Sequence, residues 1–106
     1  MKLGIIISSA NPENIWNALR LANLTQKKGD FVEIFLVSQG VEAPILNTEK
    51  FNITKLMQEF VDGGGKIHSC VTCLKLRGME AKDICPVANM DDLYTLIKTS
   101  EKVITF

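Results

Sequence analysis

The sequence predicts an α/β fold: a parallel sheet with helices on both faces. Three observations carry that expectation. Short apolar runs alternate with amphipathic stretches along the whole chain. The first two runs contain almost no polar residues, as expected of strands buried on both faces. The strand–helix order carries no internal repeat and no low-complexity linker, which implies right-handed crossovers between parallel neighbours.

The first run, Lys2 to Ser8 (KLGIIIS), reads as a central strand, and Ser8-Ser9-Ala10 as its exit loop. Asn11 then offers an N-cap with Pro12 at the first helical position. The helix is expected to run to about Lys28. Ile15, Ala18, Leu19 and Ala22 line its inner stripe, widened by Leu21 and Leu24, and Gly29 follows as the C-terminal stop. Phe31 to Val37 (FVEIFLV) is the second strand. The connection from Ser38 to about Asn52 is long for a compact domain, and such connections are usually functional or mobile. Ile53, Leu56, Met57, Phe60 and Val61 follow the helical period over Ile53 to Asp62.

Gly63-Gly64-Gly65 closes that helix and precedes a strand. Phosphate-cradling loops have the opposite order, so a helix stop and turn is the better account. Lys66 to Cys70 is the next strand and Val71 to Arg77 the helix after it. Met79 to Asn89 is irregular, with a short edge strand at Ile84 to Ala88 where Pro86 is tolerated. Asp91 or Asp92 caps a last helix reaching about Thr99, with Leu93, Leu96 and Ile97 inward. Lys102 to Phe106 (KVITF) is the final strand.

The 106 residues read as one domain, residues 1–106, with 46% hydrophobic residues for its core. Formal net charge is zero, so no basic field draws the chain to nucleic acid or anionic lipid. No apolar run approaches a membrane span, and Leu3 to Ile7 is too short for a signal-peptide core. A cytoplasmic location is the expectation. Three cysteines, an odd number, point to reduced thiols rather than a disulfide framework.

Chemistry concentrates in Gly63 to Gly78, GGGKIHSCVTCLKLRG, which holds Cys70, Cys73, Arg77 and the only histidine, His68. Cys70 falls where a strand hands over to a helix. Ligands gather at such strand ends, and the N–H groups of a helix start favour a thiolate. Lys66, Lys75, Arg77 and Lys82 outnumber Glu80 between Gly63 and Lys82, and cations lower a thiol pKa. The bland alternative for Cys70 is a small buried hydrophobe.

Cys70 and Cys73 also form a Cys-x-x-Cys, the pattern of a dithiol oxidoreductase, although no cis-proline partner is evident. A metal site would draw on His68, Cys70, Cys73 and Cys85, but zinc knuckles usually repeat the pair and Cys85 stands alone. His68 lies two residues before Cys70, on the same strand face, as an acid–base neighbour or a structural histidine. Arg77 is either an anion ligand or a partner of the helix C-terminus. Ser8, Ser9 and Asn11 leave the first strand at the same sheet edge, to line a pocket or to cap a helix.

The chain resembles the DsrE/DsrF-like sulfur-relay family, as a small stand-alone member near its TusD/DsrE branch. The resemblance spans essentially the whole chain. It rests on the isoleucine-rich first strand with its serine loop and long helix, and on the second strand leading to Gly40-Val41. The third support is Ile67-His68-Ser69-Cys70-Val71, followed by Lys75-Leu76-Arg77-Gly78 and then by Asp92-Leu93 and Lys102 to Phe106.

The resemblance implies a three-layer α/β/α fold with a five-stranded, mostly parallel sheet, the last strand beside the first. It implies homotrimers or homohexamers. It also matches Cys70 to the relay cysteine that carries persulfide sulfur between donor and acceptor proteins. Ser8, Ser9, Gly40 and Arg77 are the candidate substrate-binding positions. Cys73 lies outside that branch's pattern, so persulfide transfer alone and a dithiol mechanism both stay open. Sulfur exchange needs an exposed, stabilised thiolate and neither metal nor organic cofactor. The rival classes are a non-catalytic module binding a small anion or a partner, and the dithiol oxidoreductase.

Overall fold

The structure, a computed structural model, describes residues 1–106. Its elements run β1 (Lys2–Ile7), α1 (Pro12–Lys27), β2 (Phe31–Leu36), a 3-10 helix (Ser38–Ile45), α2 (Ile53–Asp62), β3 (Lys66–Cys70), α3 (Val71–Leu76), β4 (Val87–Ala88), α4 (Met90–Thr99) and β5 (Lys102–Thr105). The five strands form one sheet in the order β4-β3-β2-β1-β5. All four neighbouring pairs are parallel. The α/β class expected from the sequence is the one observed, with the last strand beside the first.

Strand alternation divides the core between the two faces of the sheet. Ile7, Ile34, Leu36 and Ile67 meet Ile15 and Leu19 of α1 and Met57 of α2 on one face. Gly4 and Phe35 lie on the other face, where α4 packs. A Cβ on Gly4 would stand 2.6 Å from Leu96 Cδ2 and 2.9 Å from Ser100 Oγ. The absence of a side chain there lets α4 approach β1 closely. Each fully buried aliphatic side chain of this core contributes about 1.5–3 kcal/mol.

Helix α1 starts as expected: Asn11 is its N-cap and accepts from the Asn14 N–H at 3.0 Å, with Pro12 next. Its inner face is Ile15, Ala18, Leu19, Ala22 and Thr25. Leu21 and Leu24 do not widen it; both are exposed. The helical period explains this, because at about 100° per residue Leu24 lies on the opposite side of the helix from Ile15.

Helix α4 also departs from expectation. Asn89, not Asp91 or Asp92, is the N-cap, and the Asp92 carboxylate accepts from the Asn89 N–H in a capping box. Leu96 is buried, whereas Ile97 is exposed.

The glycine run ends α2, with Gly63 as cap and Gly64 at φ 98°. The first half of the long connection is ordered as the 3-10 helix and buries Gly40, Val41 and Ala43. A Cβ on Gly40 would fall 1.9 Å from the Ile7 carbonyl oxygen. Glycine is therefore what allows this helix to lie directly against the carboxyl end of β1.

Candidate functional site

The carboxyl ends of β1, β2 and β3 lie side by side in the sheet, and the chain leaving β2 folds over them. Val37 extends β2 by donating its N–H to the Ile7 carbonyl at 3.0 Å. Ser38 then turns with φ 54°, the only non-glycine residue with positive φ. A left-handed conformation costs a serine about 1–2 kcal/mol. In this conformation the Ser38 N–H is directed at Cys73 Sγ, 3.1 Å away.

Cys70 is the last residue of β3 and the N-cap of α3, and Cys73 stands three residues on, in the first turn. These are the N-cap and N3 positions, which in a capping box exchange side-chain-to-backbone hydrogen bonds. Here both are cysteines, and the Cys70 sulfur is near enough to raise the Cys73 pKa. Cys70 makes no side-chain cap. All three cysteines are free.

Exposure separates the two thiols. Cys70 is only 3% exposed, while Cys73 is half-buried. Burial is the main cause raising the Cys73 pKa above the ordinary thiol value, and the neighbouring Cys70 sulfur adds to it. The Ser38 N–H and the Arg77 guanidinium oppose the rise. Cys73 therefore holds its proton more tightly than a free thiol.

Arg77 fastens the arrangement. Its Nη1 donates to the Cys73 carbonyl at 3.1 Å and its Nε to Glu42 Oε2 at 3.0 Å. The ion pair ties α3 to the 3-10 helix. Of the cations counted along the sequence, Arg77 acts on Cys73 and Lys82 acts on Cys85. Lys66 sits at the start of β3, the far end of the strand from Cys70.

The remaining candidates take other places. Ser8 donates to the Phe106 carbonyl through its Oγ at 3.3 Å, beside β5 rather than β3. Ser9 Oγ accepts from the Asn11 N–H at 2.9 Å. Gly40 supports the 3-10 helix under which β1 ends. His68 lines a cleft of about 260 Å³ under α4, together with Lys2, Glu33 and Asp92.

Cys85 is buried, and burial raises its pKa against the lowering effects of Ser69 and Lys82. No group of three or more His, Cys, Asp or Glu side chains is arranged to hold a metal ion. No helix is long and apolar enough to cross a membrane.

Sequence reading missed two residues of this site. Glu42 was legible only as a carboxylate in the long connection. Ser38 carried no signal, since its part is played by a backbone N–H.

The family model of the DsrE/DsrF-like family matches residues 1–106. The chain belongs to the DsrE/DsrF-like family. An uncharacterized protein of Methanocaldococcus jannaschii is 32% identical, the comparison covering 100% of both chains. A second uncharacterized protein, from Methanopyrus kandleri, is 31% identical over 96% of this chain and 91% of its own length. The crystal structure of the YchN protein of E. coli superposes with a TM-score of 0.85 at 23% identity, covering 100% of each chain. That likeness shows the fold. In this DsrE/DsrF-like chain, then, the two thiols sit at the carboxyl edge of the parallel sheet, where open α/β folds place their chemistry.

Proposed function

We propose that this protein is a sulfur carrier in which Cys70 accepts persulfide sulfur and passes it on, with Cys73 as its partner thiol. The observation that carries the reading is the pairing of Cys70 and Cys73 at a strand end, under a backbone N–H held in place by Ser38. A Cys70 thiolate attacks the outer sulfur of a donor persulfide, forming the Cys70 persulfide and releasing the donor thiolate. An acceptor thiolate removes the sulfur in the reverse sense. Donor and acceptor are proteins or small molecules bearing thiols. The assembly is a homotrimer or homohexamer, as the family resemblance implies.

The sequence led to an exposed relay thiol, whereas the structure buries Cys70 beneath its own chain. Loading therefore requires the site to open locally, and in this reading α3 is the part that lifts. A helix of six residues has little stability of its own, and the Arg77–Glu42 pair is the clasp that holds it down.

The same burial favours a second reading, a non-catalytic module whose cysteines are packing. Incubation with a cysteine desulfurase and cysteine separates the two. The carrier gains one sulfur atom by intact mass, peptide mapping places it on Cys70, and Cys70→Ser abolishes it while Cys85→Ser does not. Equal loading of Cys70→Ser, or no loading of the wild type from several donors, rejects the carrier.

A further inference from the structure

We infer that the Cys70–Cys73 pair gives this protein a further activity, the reductive release of sulfur as hydrosulfide with closure of an internal disulfide. The inference rests on the reading of Cys70 as the sulfur-accepting thiol. Three features of the site lead to it.

The first is position. Residues three apart in a helical turn stand about 5–6 Å apart at Cβ, and a disulfide needs about 3.8 Å, so a small adjustment closes the bond. Cys70 at the N-cap and Cys73 in the first turn have that spacing, and the Cys70 sulfur is close enough to raise the Cys73 pKa.

The second is access. Cys70 is 3% exposed and Cys73 is half-buried. An external acceptor thiol reaches a persulfide on the buried Cys70 only when the site opens, whereas the Cys73 thiol stands three residues away in the same helical turn. Well-oriented intramolecular reactions reach effective concentrations of about 10⁵–10⁸ M, and even a small part of that advantage outruns a dilute external thiol.

The third is the proton. Cys73 holds its proton more tightly than a free thiol, and only the thiolate is a nucleophile. The proton therefore passes first from Cys73 to the outer sulfur of the Cys70 persulfide anion, which leaves a Cys73 thiolate. That thiolate attacks Cys70 Sγ, the inner sulfur. The Cys70 Sγ–Cys73 Sγ bond forms, the bond from Cys70 Sγ to the outer sulfur breaks, and the outer sulfur leaves with the bonding pair as HS⁻.

Two thiol-level sulfurs are oxidised to a disulfide and the sulfane sulfur is reduced to sulfide, so the electrons balance. Hydrogen sulfide is a stronger acid than an alkyl thiol, which favours this leaving group over the Cys70 thiolate. Hydrosulfide is also small enough to leave a closed site. A dithiol reductant, a protein dithiol in the cell or dithiothreitol in the tube, reopens the disulfide for the next turn.

The test is a single turnover without reductant or oxygen. The reduced protein is exposed to a low-molecular-weight persulfide, glutathione persulfide, and desalted at once. Free sulfide is then measured, and the protein is mapped for persulfide and disulfide. The wild type should release one HS⁻ per chain in step with a Cys70–Cys73 disulfide. Cys73→Ser and Cys73→Ala should keep the sulfur on Cys70 and release sulfide at least tenfold more slowly.

A wild type that holds a lasting Cys70 persulfide, with neither sulfide nor disulfide, overturns the release activity and leaves the carrier reading standing. Sulfur that never reaches Cys70 in the wild type or in either variant overturns the carrier reading and the release activity with it. The wild-type measurement decides by itself if neither Cys73 variant folds.

Discussion

Ser38 and Cys73, 35 residues apart in the chain, are joined by a backbone N–H donated to Sγ at 3.1 Å. The bond couples the turn after β2 to the helix after β3. It depends on the Ser38 backbone, held at φ 54°, and not on the Ser38 side chain. Ser38→Gly should therefore keep the contact and leave stability unchanged or raised by up to about 1 kcal/mol, because glycine adopts this conformation without strain. Ser38→Val places a β-branched side chain there and should cost about 1–3 kcal/mol. Denaturant midpoints of the two variants read the difference directly, and equal midpoints would contradict the strained turn.

The pKa values of Cys73 and Cys85, both raised, give stability a definite pH dependence. A thiol with a raised folded-state pKa binds its proton more tightly folded than unfolded. Its contribution is fully present below the unfolded value of about 8.5, and is lost as pH climbs above that toward the folded values. Stability should thus fall from about pH 8.5 upward, and Cys85→Ala should make the fall shallower. Thermal midpoints measured under reducing conditions between pH 7 and 10 check this.

How much of this arrangement was legible follows from the range of the interactions involved. The bounds of α2 and β3 fall where the sequence puts them, because apolar period and glycine punctuation are local signals. The burial of Cys70 was not legible, since it depends on what the chain from Ser38 to Ile45 does after leaving β2. That stretch has no amphipathic period to announce a 3-10 helix, and Gly40 makes sense only against the Ile7 carbonyl. Asp91 and Asp92 looked like caps by residue type; Asn89 takes the position because Asp92 reaches back to it.

Gly40→Ala tests that last tertiary contact. A methyl group 1.9 Å from a backbone carbonyl oxygen cannot be accommodated by a side-chain rotation. Backbone must move, and the overpacking should cost at least about 1–3 kcal/mol. The comparison is Gly78→Ala, where a Cβ would meet no neighbour within 4 Å and only the left-handed backbone at φ 62° opposes it. Gly40→Ala should be the more destabilised of the two in urea titrations. The reverse order would mean that the 3-10 helix does not lie on β1 as described.

Assembly is the next expectation. Val87, Met90, Tyr94 and Ile97 are exposed apolar residues on and just before α4, more than a lone helix surface usually leaves in water. Light scattering at micromolar concentration should give a trimer or hexamer mass. Tyr94→Lys together with Ile97→Lys should lower that mass if α4 lies in the interface. A monomer at that concentration in the wild type would reject the assembly altogether.

If the Arg77–Glu42 pair holds α3 over the site as proposed, the three thiols have an expected order of reactivity. In the native protein a small alkylating agent should label Cys73 first, because it is the only one of the three that is not buried. Cys70 should follow slowly, at the rate at which the site opens, and Cys85, the more deeply buried of the two, last. A partly exposed pair of this kind is worth about 0.2–1 kcal/mol, so Glu42→Gln should open α3 about 1.4- to fivefold more often. Cys70 labelling should rise by that factor while Cys85 labelling does not move. Mass-resolved alkylation with peptide mapping gives all three rates in one time course. If Glu42→Gln speeds Cys85 as much as Cys70, the protein is opening globally, and the clasp has no special hold on Cys70. If it changes neither, Cys70 is sealed by packing alone, and the sulfur-carrier reading loses the route by which its cysteine is reached.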